Sequence, residues 1–141
     1  MEKMMKQGIH HLKFEDLPAV SRGNGIVNKP IAYKKIGAKS LHSGITHMPP
    51  KTKVPPHCHN TEEQVTVLQG TMKIILDGDT EVICNKFDST FLAGGIQHEL
   101  INDTNEEVIA MVTYGSGNVD RTFTATGKTV EIGSDEDIFP Q

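Results

Sequence analysis

Cysteine is scarce in this chain: Cys58 and Cys84 are the only two among 141 residues. Two thiols build no disulfide framework, and a chain of this length buries enough surface to need none. That usage fits a reducing compartment, and a cytoplasmic protein is expected. Long apolar runs are missing too. Nothing approaches the roughly 18 residues that span a bilayer, and the basic start Met1-Glu2-Lys3-Met4-Met5-Lys6 leads into no continuous apolar core, so neither a membrane segment nor a signal peptide is expected. A basic excess is also lacking: 14 Lys+Arg stand against 18 Asp+Glu, a net charge of −4, which argues against a nucleic-acid surface. No segment carries a convincing 3.6-residue period, and there is no useful internal repeat or low-complexity tract. The length is that of one domain.

What remains is the punctuation of an all-β protein. Residues 43–47, 64–68, 72–76, 80–84, 89–92, 98–101 and 108–114 are short β-branched or apolar runs bounded by Pro, Gly, Asn and Asp. Asp77-Gly78 between two of them is a strong hairpin signal, because both turn positions favour residues that tolerate positive φ. Roughly seven or eight strands at regular spacing suggest a sandwich or barrel. Residues 36–125 are assigned to this barrel, residues 1–35 to an N-terminal arm or edge strand that could pack on a partner subunit, and residues 126–141 to a solvated acidic tail.

Chemistry concentrates in two stretches. His57, His59 and Glu63 lie in Pro55-Pro56-His57-Cys58-His59-Asn60-Thr61-Glu62-Glu63, and His98 in Gly94-Gly95-Ile96-Gln97-His98. On a strand, residues two apart share a face, so His57 and His59 point one way and Cys58 the other. Three imidazoles and a carboxylate suffice to hold one divalent transition metal.

Together the two stretches resemble the paired motifs of the cupin superfamily, small double-stranded β-helix barrels of the jelly-roll type. His57, His59, Glu63 and Gly70 match the first motif, and Gly95, His98 and Asn102 the second. Lys51 and Phe87 stand where each motif opens with Gly, and Ala93 replaces a Pro; these departures touch turns and leave the ligand positions intact. The resemblance spans about residues 40 to 115 and implies an all-β jelly-roll barrel with His57, His59, Glu63 and His98 as ligands of one divalent metal per chain. Fe(II) is favoured, with Mn, Ni, Zn or Cu as alternatives. Glu63 takes the carboxylate role from its offset to Gly70 and its shared parity with Val65 and Val67. Gln64 is the alternative if the loop shifts by one residue.

Four protein ligands leave up to two open positions on a six-coordinate ion and none on tetrahedral Zn. The resemblance to small single-domain cupins that activate O₂ at such a centre makes an oxidoreductase of the dioxygenase type, acting on a small organic molecule, the leading expectation. A non-oxidative lyase or isomerase for a small acid or sugar, and a small-molecule-binding module without turnover, are the alternatives. Neither terminal segment has the helical period or basic charge of a fused DNA-binding unit. A homodimer exchanging N-terminal strands is expected from the resemblance. Around the centre, His47 is a candidate base or donor lining the bowl, with His42 on the same strand. Met48, Met72, Phe91 and Met111 are candidate pocket walls, although core packing is the default for each. Tyr114 and Arg121 are placed near the barrel mouth, where Arg121 would suit a substrate carboxylate. Cys84 reads as a small buried hydrophobe.

Overall fold

The computed structural model describes residues 2–140, with side chains from Gln7 onward. Fourteen strands follow one another: β1 (Glu2–Lys6), β2 (Ile9–Leu12), β3 (Val20–Gly23), β4 (Ile26–Pro30), β5 (His42–Met48), β6 (Thr52–Cys58), β7 (Glu63–Gln69), β8 (Met72–Leu76), β9 (Thr80–Cys84), β10 (Ser89–Leu92), β11 (His98–Asn102), β12 (Val108–Tyr114), β13 (Asp120–Phe123) and β14 (Thr129–Glu131). Only two single 3-10 turns, Phe14–Asp16 and Lys34–Ile36, interrupt them among the described residues, and no helix is long and apolar enough to cross a membrane. Two antiparallel six-stranded sheets, ordered β10-β7-β12-β5-β4-β3 and β14-β13-β6-β11-β8-β9, face each other as a jelly roll, and β1-β2 form a separate hairpin.

Strict alternation builds the core. In β12, Val108, Ala110, Val112 and Tyr114 are buried while Ile109, Met111 and Thr113 are half-exposed; in β7, Glu63, Val65 and Val67 are buried while Gln64 is exposed. These inward residues, Glu63 excepted, pack with Val54, Met72, Ile74 and Leu100 of the opposing sheet in one apolar cluster. Met48 and Met72 are fully buried there, and Cys84 is buried with them. Phe91, by contrast, faces solvent at 65 % exposure, so it is no pocket wall.

The turns carry the expected backbone signatures. Asp77 and Gly78 both have positive φ (51° and 76°) between β8 and β9, and Leu76 pairs directly with Thr80. Gly70, at φ 82°, has no substitute: a Cβ there would lie 2.7 Å from the Glu107 carbonyl oxygen. Asn102 is completely buried, and its amide donates to the Met48, Pro49 and Glu106 carbonyls while its Oδ1 accepts from Thr104. One side chain thus ties the β11–β12 turn to the β5–β6 turn.

Residues 20–30 and 132–140, towards the two ends of the chain, both belong to the barrel. Strands β3 and β4 continue the first sheet from β5, with β3 at its edge, so residues 20–30 form the edge hairpin of their own sheet. The C-terminal segment corrects the sequence reading. It is acidic, yet Asp137 is fully buried and Phe139 is 2 % exposed, so it is not a solvated tail. Residues 132–140 run from β14, at the edge of one sheet, to β3, at the edge of the other. The Ile132 amide donates to the Val119 carbonyl at one end, and the Phe139 amide donates to the Arg22 carbonyl at the other. This strap covers the open side of the sandwich. Hydropathy could not reveal it, because it is pinned by polar contacts from Arg22, Asn24 and Arg121.

Candidate metal centre

Antiparallel register assembles the four candidate residues from opposite sheets. His57 near the end of β6 is paired directly with His98 at the start of β11. His59 follows β6 on the same face, and Cys58 between them points outward and is half-exposed. Glu63 opens β7 in the other sheet, flanked by Leu92 and Tyr114. All four are nearly inaccessible, at 1 % (His57), 4 % (His59), 3 % (Glu63) and 2 % (His98). The ring centroids of His57 and His98 are 4.3 Å apart, and those of His57 and His59 4.8 Å.

Each imidazole is oriented by a backbone carbonyl. Nδ1–H of His57 donates to Pro55 O at 2.6 Å, that of His59 to Asp120 O at 2.7 Å and that of His98 to Ile96 O at 2.9 Å. A carbonyl can only accept, so these bonds place a proton on Nδ1 and leave Nε2 to offer a lone pair, the arrangement that prepares a histidine for metal. The three side chains each present a ligand nitrogen, all within 4.8 Å of one another. Glu63 Oε1 lies 2.9 Å from His98 Nε2 and 3.3 Å from His59 Nε2. Yet these three buried atoms make no aligned hydrogen bond to any described residue. Atoms this close that are not aimed at each other converge on a common point. Leaving them bare would be costly, because an unsatisfied buried polar atom loses about 1–3 kcal/mol. The donor set therefore fits a divalent metal ion, to which the three histidines could offer their nitrogens together.

Electrostatics agree with that fit. Burial, reinforced by the positive charge of Arg121, holds the His57 imidazole well below its ordinary range, so it stays neutral. Burial alone would raise the Glu63 carboxyl, but in the metal-free protein a proton shared with the His59 and His98 imidazoles outweighs it and holds Glu63 well below the carboxylate range. Gln64 lies on the exposed face of β7 and bonds to Thr66, so in this register Glu63 and not Gln64 faces the centre.

The centre borders a cavity of about 420 Å³ between the sheets, to which His57 and Glu63 contribute, with Val54, Leu100, Val112 and Val119 as apolar wall. His47 does not reach it. It faces the other side of β5, 3.6 Å from Glu107 and against Phe14. His42 does line the cavity, in a row His42–Tyr114–Glu63 across adjacent strands β5, β12 and β7. Strand parity held this signal, since His42 shares a face with Gly44 and Thr46 and His47 does not. Tyr114 is edge-on to His59 at 4.8 Å, and burial together with the Glu63 carboxylate pushes its phenol well above the ordinary value, so it remains protonated. Arg121 is buried beside the centre, its Nε donating to Asp137 Oδ1 at 2.8 Å and its guanidinium 4.7 Å from the Phe139 ring. Arg22, Asp137 and Phe139 had no signal in the sequence.

Comparison with known proteins agrees with this architecture. The Cupin domain family matches residues 44–114, and the chain belongs to that family. No curated protein sequence matches it. Among solved structures, it is similar to the polyketide cyclase RemF from Streptomyces resistomycificus (TM-score 0.70, 19 % identity, 95 % of this chain and 89 % of that one). It is also similar to an RmlC-like cupin from Shewanella frigidimarina (TM-score 0.68, 14 % identity, 82 % and 93 %) and to KdgF from Halomonas sp. (TM-score 0.62, 15 % identity, 73 % and 90 %). At these identities the likeness concerns the fold.

Proposed function

We propose that this cupin is a mononuclear metal-dependent enzyme of the dioxygenase type, with His57, His59, Glu63 and His98 holding one divalent ion, Fe(II) in the first place. The observation that carries the reading is the convergence of buried, unpartnered Nε2 and carboxylate atoms beside a cavity large enough for a small organic molecule. Such an ion, once bound, supplies Lewis acidity and, as Fe(II), a route for O₂ to react with a bound substrate. Both oxygen atoms would enter the product, so no external reductant is needed. The chain's own part is to fix the imidazoles through Pro55, Asp120 and Ile96, to exclude water with the apolar wall, and to place a neutral Tyr114 phenol beside the site.

Elemental analysis of protein purified without a tag is expected to find about one Fe, Mn or Ni per chain, lost in the His57→Ala/His59→Ala variant. Fe(II)-loaded protein is expected to consume oxygen with an aromatic or 1,3-dicarbonyl substrate, and His59→Ala to abolish that uptake. Uptake unchanged in His59→Ala would end the dioxygenase reading. Tyr114 favours one alternative: a protonated phenol next to the centre can donate a proton, which suits a non-oxidative lyase or isomerase. Turnover without oxygen that Tyr114→Phe slows would support it.

A further inference from the structure

A second polar feature of the cavity lies apart from the four candidate ligands. Arg22 on β3 is 1 % exposed and lines the cavity. Its Nε donates to Asn28 Oδ1 at 3.1 Å, and its Nη1 donates to the Ser134 and Asp137 carbonyls at 2.9 Å and 2.6 Å. Its Nη2 is buried with no hydrogen-bond partner among the described residues. A guanidinium has five N–H donors, and leaving two of them bare in a buried site is unfavourable unless something accepts them. Arg121, the neighbouring cation, is already engaged by Asp137 at 2.8 Å. Of the charged side chains lining the cavity, Arg22, Lys34, Lys35 and Arg121 are basic, and Glu63 and Glu131 acidic. Val54, Leu100, Val112, Val119 and Phe139 form the apolar part of the wall, and Asn28, Thr46, His42 and Tyr114 add uncharged polar groups.

From this we infer that Arg22 is the anchor for a carboxylate of the substrate, and that the molecule bound here is a small carboxylic acid with an apolar body, such as an aryl or branched-chain acid. The two N–H groups on Nη2 match a planar carboxylate. The apolar wall accommodates the remainder of such a molecule and orients it within the chamber that His57 and Glu63 also border. Because Nη1 of the same guanidinium holds the strap, the bound acid would be enclosed by residues 132–140. The inference rests on the cavity being the substrate chamber, but it does not require a metal.

Full-length protein, stripped with a chelator and in parallel loaded with Zn(II), would be titrated calorimetrically with benzoate and with benzamide, its neutral counterpart. Benzoate is expected to bind the metal-free protein, and benzamide roughly tenfold or more weakly, as fits the loss of a charge-assisted hydrogen bond. Arg22→Lys is expected to lose this preference while keeping its metal content. In the wild type, benzoate should shift the side-chain ¹⁵N–¹H resonances of Arg22, a result that does not depend on the variant folding. Equal binding of benzoate and benzamide, no binding of either, or an unmoved Arg22 resonance would overturn the assignment. So would benzoate binding that requires Zn(II) and survives in Arg22→Lys, which would place the anion on the metal. Phenyl phosphate binding more tightly than benzoate would replace the carboxylate by a phosphate. Benzoate binding at Arg22 in a protein that takes up no metal would sustain the anchor while removing the metal enzyme.

Discussion

At the scale of single residues, the two departures from the cupin glycines become legible in the backbone. Lys51 and Phe87 occupy the opening positions of the two motifs, and both have positive φ, 61° and 73°. The turn geometry is kept although the residue best suited to it is absent. An L-residue in this region loses roughly 1–2 kcal/mol, and the greater freedom of unfolded glycine offsets about 0.5–1 of that on substitution. Phe87 is 70 % exposed and packs little, so Phe87→Gly should stabilise by about 0.5–1 kcal/mol, raising Tm by roughly 1–4 °C. Lys51→Gly should gain less, because the Lys51 ammonium donates to the Asp103 carbonyl at 2.6 Å. Thermal unfolding of both variants checks the order; a lower Tm for Phe87→Gly would refute the strain argument. Titration behaves as a separate residue-level matter. Burial and Arg121 depress both His42 and His57 below the ordinary 6.5. Below pH 6.5 the unfolded chain therefore binds protons that the native state refuses, and stability falls as pH falls. Glu63, depressed below 4.5, adds a contribution that is present above that pH and lost as acid protonates it. Urea midpoints of metal-free protein should be level above pH 7 and decline below 6.5. His42→Leu should flatten the decline between pH 6.5 and 5, and an identical slope in that variant would count against this assignment.

At the scale of elements, the strap residues 132–140 depend on one carboxylate. Asp137 Oδ1 accepts from Arg121 Nε, and its Oδ2 accepts from the Gly133 amide. Arg121 is 5 % exposed, and removing its counterion leaves a buried charge uncompensated. Asp137→Ala should therefore destabilise by about 3–5 kcal/mol, measured by urea unfolding; a loss below about 1 kcal/mol would mean that the pair is solvated and the strap loose. The strands were readable from sequence because each buries one face, which writes period-two alternation into β7 and β12. The centre was readable for the same reason: His57 and His59 two apart, and Glu63 in phase with Val65, can face only one interior. The strap was not. Its anchors are an Arg–Asp pair and guanidinium-to-carbonyl bonds, and such contacts leave no periodic trace. Arg22 was invisible likewise, since an isolated Arg near a turn reads as solvated until β3 is placed at the sheet edge.

At the scale of the molecule, the barrel accounts for every strand except two. Among the described residues, strands β3 to β14 fall into the two facing sheets, whereas β1 and β2 pair as strands with each other, Glu2 opposite Leu12 and Lys3 opposite His11. An isolated two-stranded ribbon is at best marginally stable in water. The expectation that N-terminal residues form an intersubunit arm therefore narrows to this hairpin, because residues 20–30 already complete their own sheet. We propose that the hairpin lies against a second copy of the chain. Light scattering on the full-length protein should give a dimer, and removing residues 1–12 should give a monomer that retains the barrel. Removing residues 1–35 would be a poor test, since it strips β3 and β4 from the first sheet and the strap from its Arg22 anchor. A monomeric full-length protein would end the dimer proposal. A dimer unchanged by loss of residues 1–12 would move the interface to the barrel itself, where the exposed Phe91 and Ile83 would be the first positions to substitute with charge.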